Sequence, residues 1–343
     1  MTVHDFKPYT LHPRPPLIPG ISDLQLSLIC PIAINWLLSA AFEICDRAGW
    51  LSQYRLHTTA EELTRNRVTR RECLIVTIQS QCLQTILGLA LGSLGEGDMT
   101  GFEDYYETIW IGRVHSASKA IFSLLSLSGI DFCALENKLS RHVSIISTPE
   151  HAGLEVPIGR FLYWYLMPGL QFVLTLVIAD AFMFSIHRLE HTNSWLYKHI
   201  HSQHHRFYVP YAWAGYYNHP FDSLVVDGVS YAIGSWATGI STRLSVFLFS
   251  YASIKNVLDH SGFAFPSRLF RLISSTDADF HDVHHQSWGL KHNFGLYLGI
   301  WDRMTGSYFH DRELITKLRV KNRIAAEKMM AREAGLSAED VRK

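Results

Sequence analysis

Long apolar runs dominate the pattern of hydrophobic and polar positions along this chain. Three of them, Leu24–Cys45, Cys73–Leu94 and Phe161–Ile186, are about twenty residues long or longer. A helix rises ~1.5 Å per residue, so each run can cross the ~30 Å hydrocarbon core of a bilayer. Buried helices of a large soluble domain are the alternative, but such helices are seldom so long and so uniformly apolar. The pattern therefore predicts three membrane-spanning helices.

Two further apolar segments are interrupted by glycines or charges. Leu224–Val257 contains three glycines and predicts two helices of roughly fifteen residues, each marginal for a full crossing, in a hairpin that enters the bilayer and returns. Ala117–Leu135 carries two charged residues and is expected to lie at the membrane interface. The proline-rich N-terminus has no apolar segment before residue 24, so no signal peptide is expected.

The charges between these runs predict their orientation. Segment 46–72 carries six arginines, whereas segment 96–116 is mainly acidic. The positive-inside rule places 46–72 in the cytosol. If 117–135 does not cross, the third run returns the chain to the cytosolic face, and the residues after it are cytosolic. The formal net charge is 0, without a dominant basic stripe, which argues against nucleic-acid binding.

Histidines are concentrated after the third run. Eight of the nineteen form three tight groups, which are His187 and His191; His201, His204 and His205; and His281, His284 and His285. On a helix, residues three or four apart lie on one face, ~5–6 Å from each other. Imidazole is a common ligand of iron, zinc and copper, and eight imidazoles exceed what one tetrahedral ion needs. We therefore expect two metal ions where helices converge.

Other residues near the three groups are candidates for supporting roles. His260 follows the apolar hairpin and His219 precedes a proline, and both are candidate ligands, whereas His199 and His292 are expected to lie outside the ligand set. Metal-bound imidazoles usually donate their second N–H to a carboxylate or a carbonyl. The acids expected to accept these N–H groups are Asp180, Glu190, Asp222, Asp259, Asp279 and Asp282. The scattered histidines are expected to be structural or exposed; they are His4, His12, His57, His115, His142, His151 and His310.

A two-metal site beside a membrane indicates a metal-dependent enzyme that modifies lipids. A pair of redox-active metals there suggests oxidation of a lipid chain, which must break an unactivated C–H bond. Acid–base chemistry alone cannot do this, so the oxidation would need dioxygen activated at iron and electrons from outside. The fold predicted with it is all-α: a polytopic membrane helical bundle with a cytosolic, histidine-rich helical cap that holds the dimetal site. These residues do not identify the lipid.

The histidine motifs resemble those of a known family. H-R-x-x-H at 187–191 and H-x-x-H-H at 201–205 and 281–285 are similar to the boxes of the fatty acid hydroxylase superfamily, which also contains sterol desaturases and methyl oxidases. The likeness extends over most of the chain to fungal sphinganine 4-hydroxylases, through Y-R-L-H at 54–57, N-H-P-F at 218–221 and D-H-S-G at 259–262.

This resemblance implies a monooxygenase that hydroxylates carbon 4 of sphinganine or dihydroceramide to the phytosphingosine type. It implies two iron ions, dioxygen, and electrons from NADH or NADPH through cytochrome b5 and its reductase, in a multi-pass protein of the endoplasmic reticulum membrane. The matching motif positions imply metal ligands at His187, His191, His201, His204, His205, His219, His260, His281, His284 and His285. All of these except His219 are also expected to be catalytic.

Four segments follow from the runs and the resemblance. They are a polar N-terminal segment (1–23), a membrane region with two spans and the weaker segment (24–160), a catalytic domain of fatty acid hydroxylase type (161–310) and a charged cytosolic tail (311–343).

Other functions share part of these features. A sterol methyl oxidase or desaturase, or a fatty-acyl hydroxylase, would carry the same boxes. A zinc-binding membrane transporter belongs to another class, but transporters often carry histidines in low-complexity loops or at mid-membrane positions, whereas these boxes follow a span.

Overall fold

The computed structural model describes residues 9–95, 97–126, 154–266 and 274–335. Its α-helices are α1 (Asp23–Arg47), α2 (Thr59–Arg65), α3 (Arg70–Leu94), α4 (Glu103–Ser126), α5 (Glu155–Phe161), α6 (Met167–Thr192), α7 (Ser194–His199), α8 (Ser230–Thr238), α9 (Thr242–His260), α10 (Ala278–His285), α11 (Ile300–Thr305) and α12 (Arg312–Glu333). Short 3₁₀ helices cover Ser52–Tyr54, His201–Arg206 and Ala212–Tyr216, and π-helical turns cover Leu162–Leu166 and Asp222–Val229. Two-residue strands are β1 (His12–Pro13) and β2 (Met99–Thr100). The predicted helical fold is confirmed.

Three helical segments are long and apolar enough to cross a membrane, namely Asp23–Arg47, Arg70–Leu94 and Glu155–Thr192. They contain the three predicted runs, which are thus confirmed as helices. The third is 38 residues long because α5, the π-turn and α6 follow one another without a break. Large apolar side chains such as Leu37 and Ile86 are 73% and 64% exposed, as expected of surfaces that contact lipid.

The chain divides into two compact units, of which the first contains residues 1–16 and 97–173. β1 and β2 pair antiparallel in it, and α4 packs against α5. A Cβ on Gly159 would lie 2.7 Å from Cα of Ile111, so this helix contact requires glycine. The predicted interfacial segment Ala117–Leu135 begins inside α4, but its part after Ser126 lies outside the described residues, as do His4, His142 and His151.

The second unit contains residues 17–96 and 174–343. In it α1 and α9 run side by side in the same direction: Arg243 forms an ion pair with Asp23 where both helices begin, and Phe42 stacks on Phe263 where both end. α3 runs in the opposite direction to α1. The indole N–H of Trp36 on α1 donates to Gln81 halfway along both helices, and Gly92, which comes later in α3, faces the start of α1.

The interrupted segment 224–257 forms two helical stretches, as predicted. The π-turn Asp222–Val229 continues into α8, which ends at Gly239 with φ +62°, a left-handed conformation that glycine adopts readily. The Ser241 side chain then accepts a hydrogen bond from Leu244 N–H and caps the start of α9. This turn sends α9 back towards the end of the unit where α1 ends.

At that end, connecting segments and α12 form a cap. The arginine-rich segment 46–72 is part of it, because the N–H of Arg67 donates to the carbonyl of Arg206 and the N–H of Leu56 donates to the carbonyl of Gly262. α12 packs against α2 and buries Ile315. The cap therefore joins the arginine-rich segment directly to the segments that carry the histidines.

Candidate metal centre

The end of α6 brings the first histidine pair to the cap. His187 and His191 lie one turn apart, with ring centroids separated by 5.0 Å, and both are buried. α6 ends one residue after His191, and the Asn193 side chain caps α7 by accepting from the N–H groups of Trp195 and Leu196. The chain then turns back, so that the second histidine group faces the first.

The second and third groups lie on short helices. His201, His204 and His205 belong to a 3₁₀ helix and not to an α-helix. Residues three apart eclipse in a 3₁₀ helix and residues four apart do not, so the three side chains do not share one face. The third group lies on α10, whose first turn is capped by the Asp277 side chain. The two short helices can thus present histidines to two different neighbours.

The structure brings nine histidines together in two buried groups, each with its ligand atoms within 4.8 Å of one another. The five-histidine group consists of His187, His191, His201, His205 and His284. The four-histidine group consists of His204, His260, His281 and His285. The second and third boxes each contribute to both groups, and His260 at the end of α9 completes the second one.

Within each group the Nε2 atoms point at one another. Nε2 of His205 lies 3.0 Å from Nε2 of His191 and 3.2 Å from that of His201. Nε2 of His281 lies 2.9 Å from that of His260 and 3.0 Å from that of His285. Two nitrogens that each lie ~2.1 Å from one ion, at about a right angle, are ~3 Å apart, so these separations suit a shared metal ion.

Backbone carbonyls determine which nitrogen faces inward. Nδ1 donates to the carbonyl of Phe294 from His187 (2.8 Å), of Asn256 from His260 (2.9 Å), and of Phe207 from His285 (2.9 Å). His204 and His284 bond in the same way to the carbonyls of Tyr217 and His292. A proton held on Nδ1 leaves the Nε2 lone pair free for a metal ion.

His201 differs from the other histidines because its Nδ1 faces two acids. Oε2 of Glu190 and Oδ2 of Asp222 each lie 3.3 Å away. Glu190 is fully buried on α6, and Asp222 begins the π-turn. Two buried carboxyl groups this close share a proton, so the pair carries about one negative charge next to the five-histidine group, which favours a cation there.

The donor set fits a pair of transition-metal ions. Burial lowers the pKa of His284 to about 3 and holds those of His205, His281 and His285 well below the ordinary value, so these imidazoles are neutral, which is the form that binds metal. Nε2 of His284 is buried and has no hydrogen-bond partner among the described residues. A bound ion would satisfy it.

Three other histidines lie outside these groups, namely the candidate ligand His219 and two that were expected to lie outside the ligand set. Nδ1 of His219 accepts from the N–H of Phe221, and His219 is in neither group. His199 is exposed and stacks on Trp195. His292 contributes its carbonyl, which accepts from His284, and not its ring.

Most of the predicted acids have other partners. Asp180 accepts from the N–H groups of Tyr297 and Leu298, Asp259 pairs with Lys255, and Asp279 pairs with Arg319. Of the six acids, only Glu190 and Asp222 approach an imidazole of the two groups. Backbone carbonyls take the place that the sequence suggested for acids.

One histidine of the scattered set has a supporting position. His57, expected to be structural or exposed, is buried, with Nε2 2.6 Å from Oδ1 of Asp282 on α10 and Nδ1 3.0 Å from Glu61 on α2. Arg319 on α12 binds the other oxygen of Asp282 at 2.5 Å. The Thr58–Glu61 capping box predicts a helix start, but no spacing in the sequence joins residue 57 to residue 282.

A cavity of about 570 Å³ opens beside the four-histidine group. Its lining includes His260 and the neighbouring residues Asn256 and Asp259 on α9. It continues along α1, α3 and α9, where its walls are mainly apolar, for example at Leu28, Leu91 and Phe249. This shape and lining suit a long-chain amphiphile.

Comparisons with known proteins agree with this geometry. Residues 172–307 match the family model described as fatty acid hydroxylase. Sphinganine C4-monooxygenase 1 of Arabidopsis thaliana is 31% identical over 84% of this chain and 89% of its own length. The chain belongs to the fatty acid hydroxylase family.

The names of other relatives refer to two different activities. The sphingolipid C4-hydroxylase SUR2 of Saccharomyces cerevisiae is 30% identical over 87% of this chain and 76% of its own length. The very-long-chain aldehyde decarbonylase GL1-9 of Oryza sativa subsp. indica is 29% identical over 84% and 90%. No solved structure is a significant match.

Proposed function

We propose that this chain is a membrane di-iron monooxygenase that hydroxylates carbon 4 of sphinganine or dihydroceramide to the phytosphingosine type. The observation that carries the proposal is the position of two all-histidine groups at one end of a long, mainly apolar cavity. The similarity to sphinganine C4-monooxygenase 1 and to SUR2 over most of the chain supports the choice of substrate.

In this proposal the five-histidine and four-histidine groups each hold one iron ion. Bound iron supplies the activation of dioxygen that C–H cleavage requires. One C–H bond is replaced by C–OH, the second oxygen atom leaves as water, and two electrons and two protons are consumed. The electrons come from NADH or NADPH through cytochrome b5 and its reductase.

Residues of the chain orient the imidazoles and the lipid substrate. The carbonyls of Phe294, Asn256 and Phe207 hold the imidazole protons on Nδ1, and burial keeps the histidines neutral. The apolar walls of the cavity exclude water and align the lipid chain. The end of the cavity at His260 determines which carbon lies at the reaction centre.

We place the protein in the endoplasmic reticulum membrane with the histidine groups towards the cytosol. The arginine-rich segment 46–72 contacts the histidine segments through Arg67 and Leu56, and the positive-inside rule assigns such a segment to the cytosol. This arrangement would expose the site to cytosolic electron donors.

Mass spectrometry of sphingoid bases tests the proposal. Cells that lack an endogenous 4-hydroxylase should regain 4-hydroxy bases when they express this chain. His204→Ala and His284→Ala, one from each group, should lose at least ~100-fold of this product while remaining in the membrane fraction, and His199→Ala, at the surface, should keep it.

Each contrary result has a distinct meaning. Product retained by both variants would refute the ligand assignment. A wild-type protein that yields only desaturated sterol, hydroxylated fatty acid or shortened hydrocarbon would refute the substrate and favour the corresponding alternative, including the decarbonylase activity named in one relative.

A further inference from the structure

The cavity has a polar end and an apolar end. It follows α9 from Thr242 to His260, a rise of about 27 Å. On α3, Gln81 and Gln84 line it nearer to the cap, and Leu91 lines it farther away. The charged and amide side chains of the lining are therefore concentrated at the end where His260 joins the four-histidine group.

This polarity determines how an amphiphile must lie. In the proposed reaction the oxidised carbon follows a head group with two hydroxyls and an amine, so the head must lie beside the histidines and the chain must extend along α9. The polar residues at the cap end then surround the head group, and the hydrocarbon chain lies against residues such as Leu28 and Phe249.

One carboxylate at the polar end is paired only with neutral donors. Oδ2 of Asp227 accepts from the amides of Gln84 (3.0 Å) and Asn218 (3.2 Å). Among the described residues that line the cavity, the one lysine or arginine is Lys255, and it is paired with Asp259. The charged lining thus carries a formal excess of one negative charge, on Asp227.

The π-helical turn Asp222–Val229 places the Asp227 carboxylate close to the histidine groups. Asp222, at its start, contacts His201, and Asp227 follows five residues later, which is the hydrogen-bond repeat of a π-helix. Its partner Asn218 directly follows Tyr217, whose carbonyl accepts from His204. Asp227 therefore combines a cavity position with proximity to the site.

We propose that Asp227 binds the ammonium group of a free long-chain base, so that the site selects the free base over its neutral N-acyl form. A carboxylate at the edge of an apolar cavity is poorly stabilised without a cation, and one ammonium group supplies the missing charge. An N-acylated base has no cation to offer. This inference rests on the proposed function and deepens it.

Binding of simple amphiphiles tests the inference without turnover. Octadecylamine and octadecan-1-ol have the same chain and differ in head-group charge, and their affinities are measured for protein purified in a neutral detergent. The wild type should bind the amine about tenfold or more tightly than the alcohol. Asp227→Asn should reduce this ratio to about one while keeping affinity for the alcohol.

Matched variants complete the test. Asp227→Glu keeps the charge and should retain part of the preference, and Ser245→Ala, at the apolar end, should retain all of it. Metal content should stay at the wild-type level in Asp227→Asn. If that variant does not fold, the wild-type ratio and Asp227→Glu still decide. An amine-to-alcohol ratio near one in the wild type, or an unchanged ratio in Asp227→Asn, would overturn the inference.

Kinetics link the inference to the reaction. Asp227→Asn should raise KM for sphinganine about tenfold and leave KM for N-acetylsphinganine unchanged. If the proposed reaction were wrong, no 4-hydroxy product would form from either substrate, and the amine-to-alcohol ratio would still report on Asp227. Failure of the function and failure of the inference are therefore distinguishable.

Discussion

The position of one proton on each imidazole decides what the histidine groups can bind. In five of the nine histidines a backbone carbonyl accepts from Nδ1, and the carbonyl of Phe294 illustrates how firmly such an acceptor is held. The N–H groups of Phe294 and Gly295 both donate to the buried Asp302 carboxylate. The orientation of His187 thus depends on a residue that is far from it in sequence and has no metal-binding motif around it.

The buried His57 should make the stability of the protein depend on pH. Burial lowers its pKa, but contacts with Asp282 and Glu61 outweigh burial and raise it to about 9. Because the folded pKa exceeds the ordinary 6.5, the stabilisation by His57 is complete below pH 6.5 and is lost as the pH rises through about 9. His57→Gln should therefore lower the free energy of unfolding by roughly 1–3 kcal/mol at pH 6 and much less at pH 10.

Unfolding of the purified proteins measured between pH 6 and pH 10 checks this expectation. His199→Gln, on the surface, should follow the wild-type pH profile. Parallel profiles for wild type and His57→Gln would show that His57 is not a buried cation.

At the scale of elements, the sequence was most informative where a long apolar run or a glycine determines where a helix lies. Apolar runs predicted the three long helices, and glycine placement predicted the two stretches around Gly239. The 3₁₀ helix at His201–Arg206 was not predicted, because an i, i+3, i+4 histidine spacing is equally compatible with an α-helix. The π-turn has no sequence signature of its own, so the positions of Asp222 and Asp227 could not be predicted.

The link between α12 and α10 gives a prediction about elements. Arg319 binds Asp279 at 2.6 Å and Asp282 at 2.5 Å, which fastens α12 to the helix that carries the third histidine group. Arg319→Gln removes a cation shared by two carboxylates, while Asp279 keeps its ion pair with Arg312 and Asp282 keeps its contact with His57. We therefore expect a loss of about 1–2 kcal/mol in stability and a lower metal content. Elemental analysis and chemical unfolding of the purified variant measure both.

Lys317 on the same helix is the matched control. Its ion pair with Glu313 is largely exposed, so Lys317→Gln should change stability by no more than about 0.5 kcal/mol. Wild-type stability and metal content in Arg319→Gln would mean that α12 does not support the site.

At the scale of the whole molecule, the sequence predicted which histidines form the candidate site better than it predicted how they divide into two groups. Nine of the ten predicted ligands lie in the two groups, because boxes with regular spacing concentrate histidines on a few short segments. The sequence could not show that His204 and His205, which are adjacent, belong to different groups. That division depends on the packing of α6, α9 and α10 around them, which only the tertiary structure determines.

The sidedness of the membrane is the last property that the whole molecule predicts. From the sequence, the cytosolic position of the histidines depended on whether 117–135 crosses. In the structure the arginine-rich segment contacts the histidine segments directly, so the two lie on one side without that assumption. The positive-inside rule predicts that this side is the cytosolic one. Ile18, which is 45% exposed just before α1, should then lie on the opposite side from Lys317 on α12. In a cysteine-free background and sealed microsomes, a membrane-impermeant maleimide should label Lys317→Cys, and should label Ile18→Cys only after permeabilisation. The reverse pattern would place the histidine groups in the lumen, and labelling of both without permeabilisation would show that α1 does not cross.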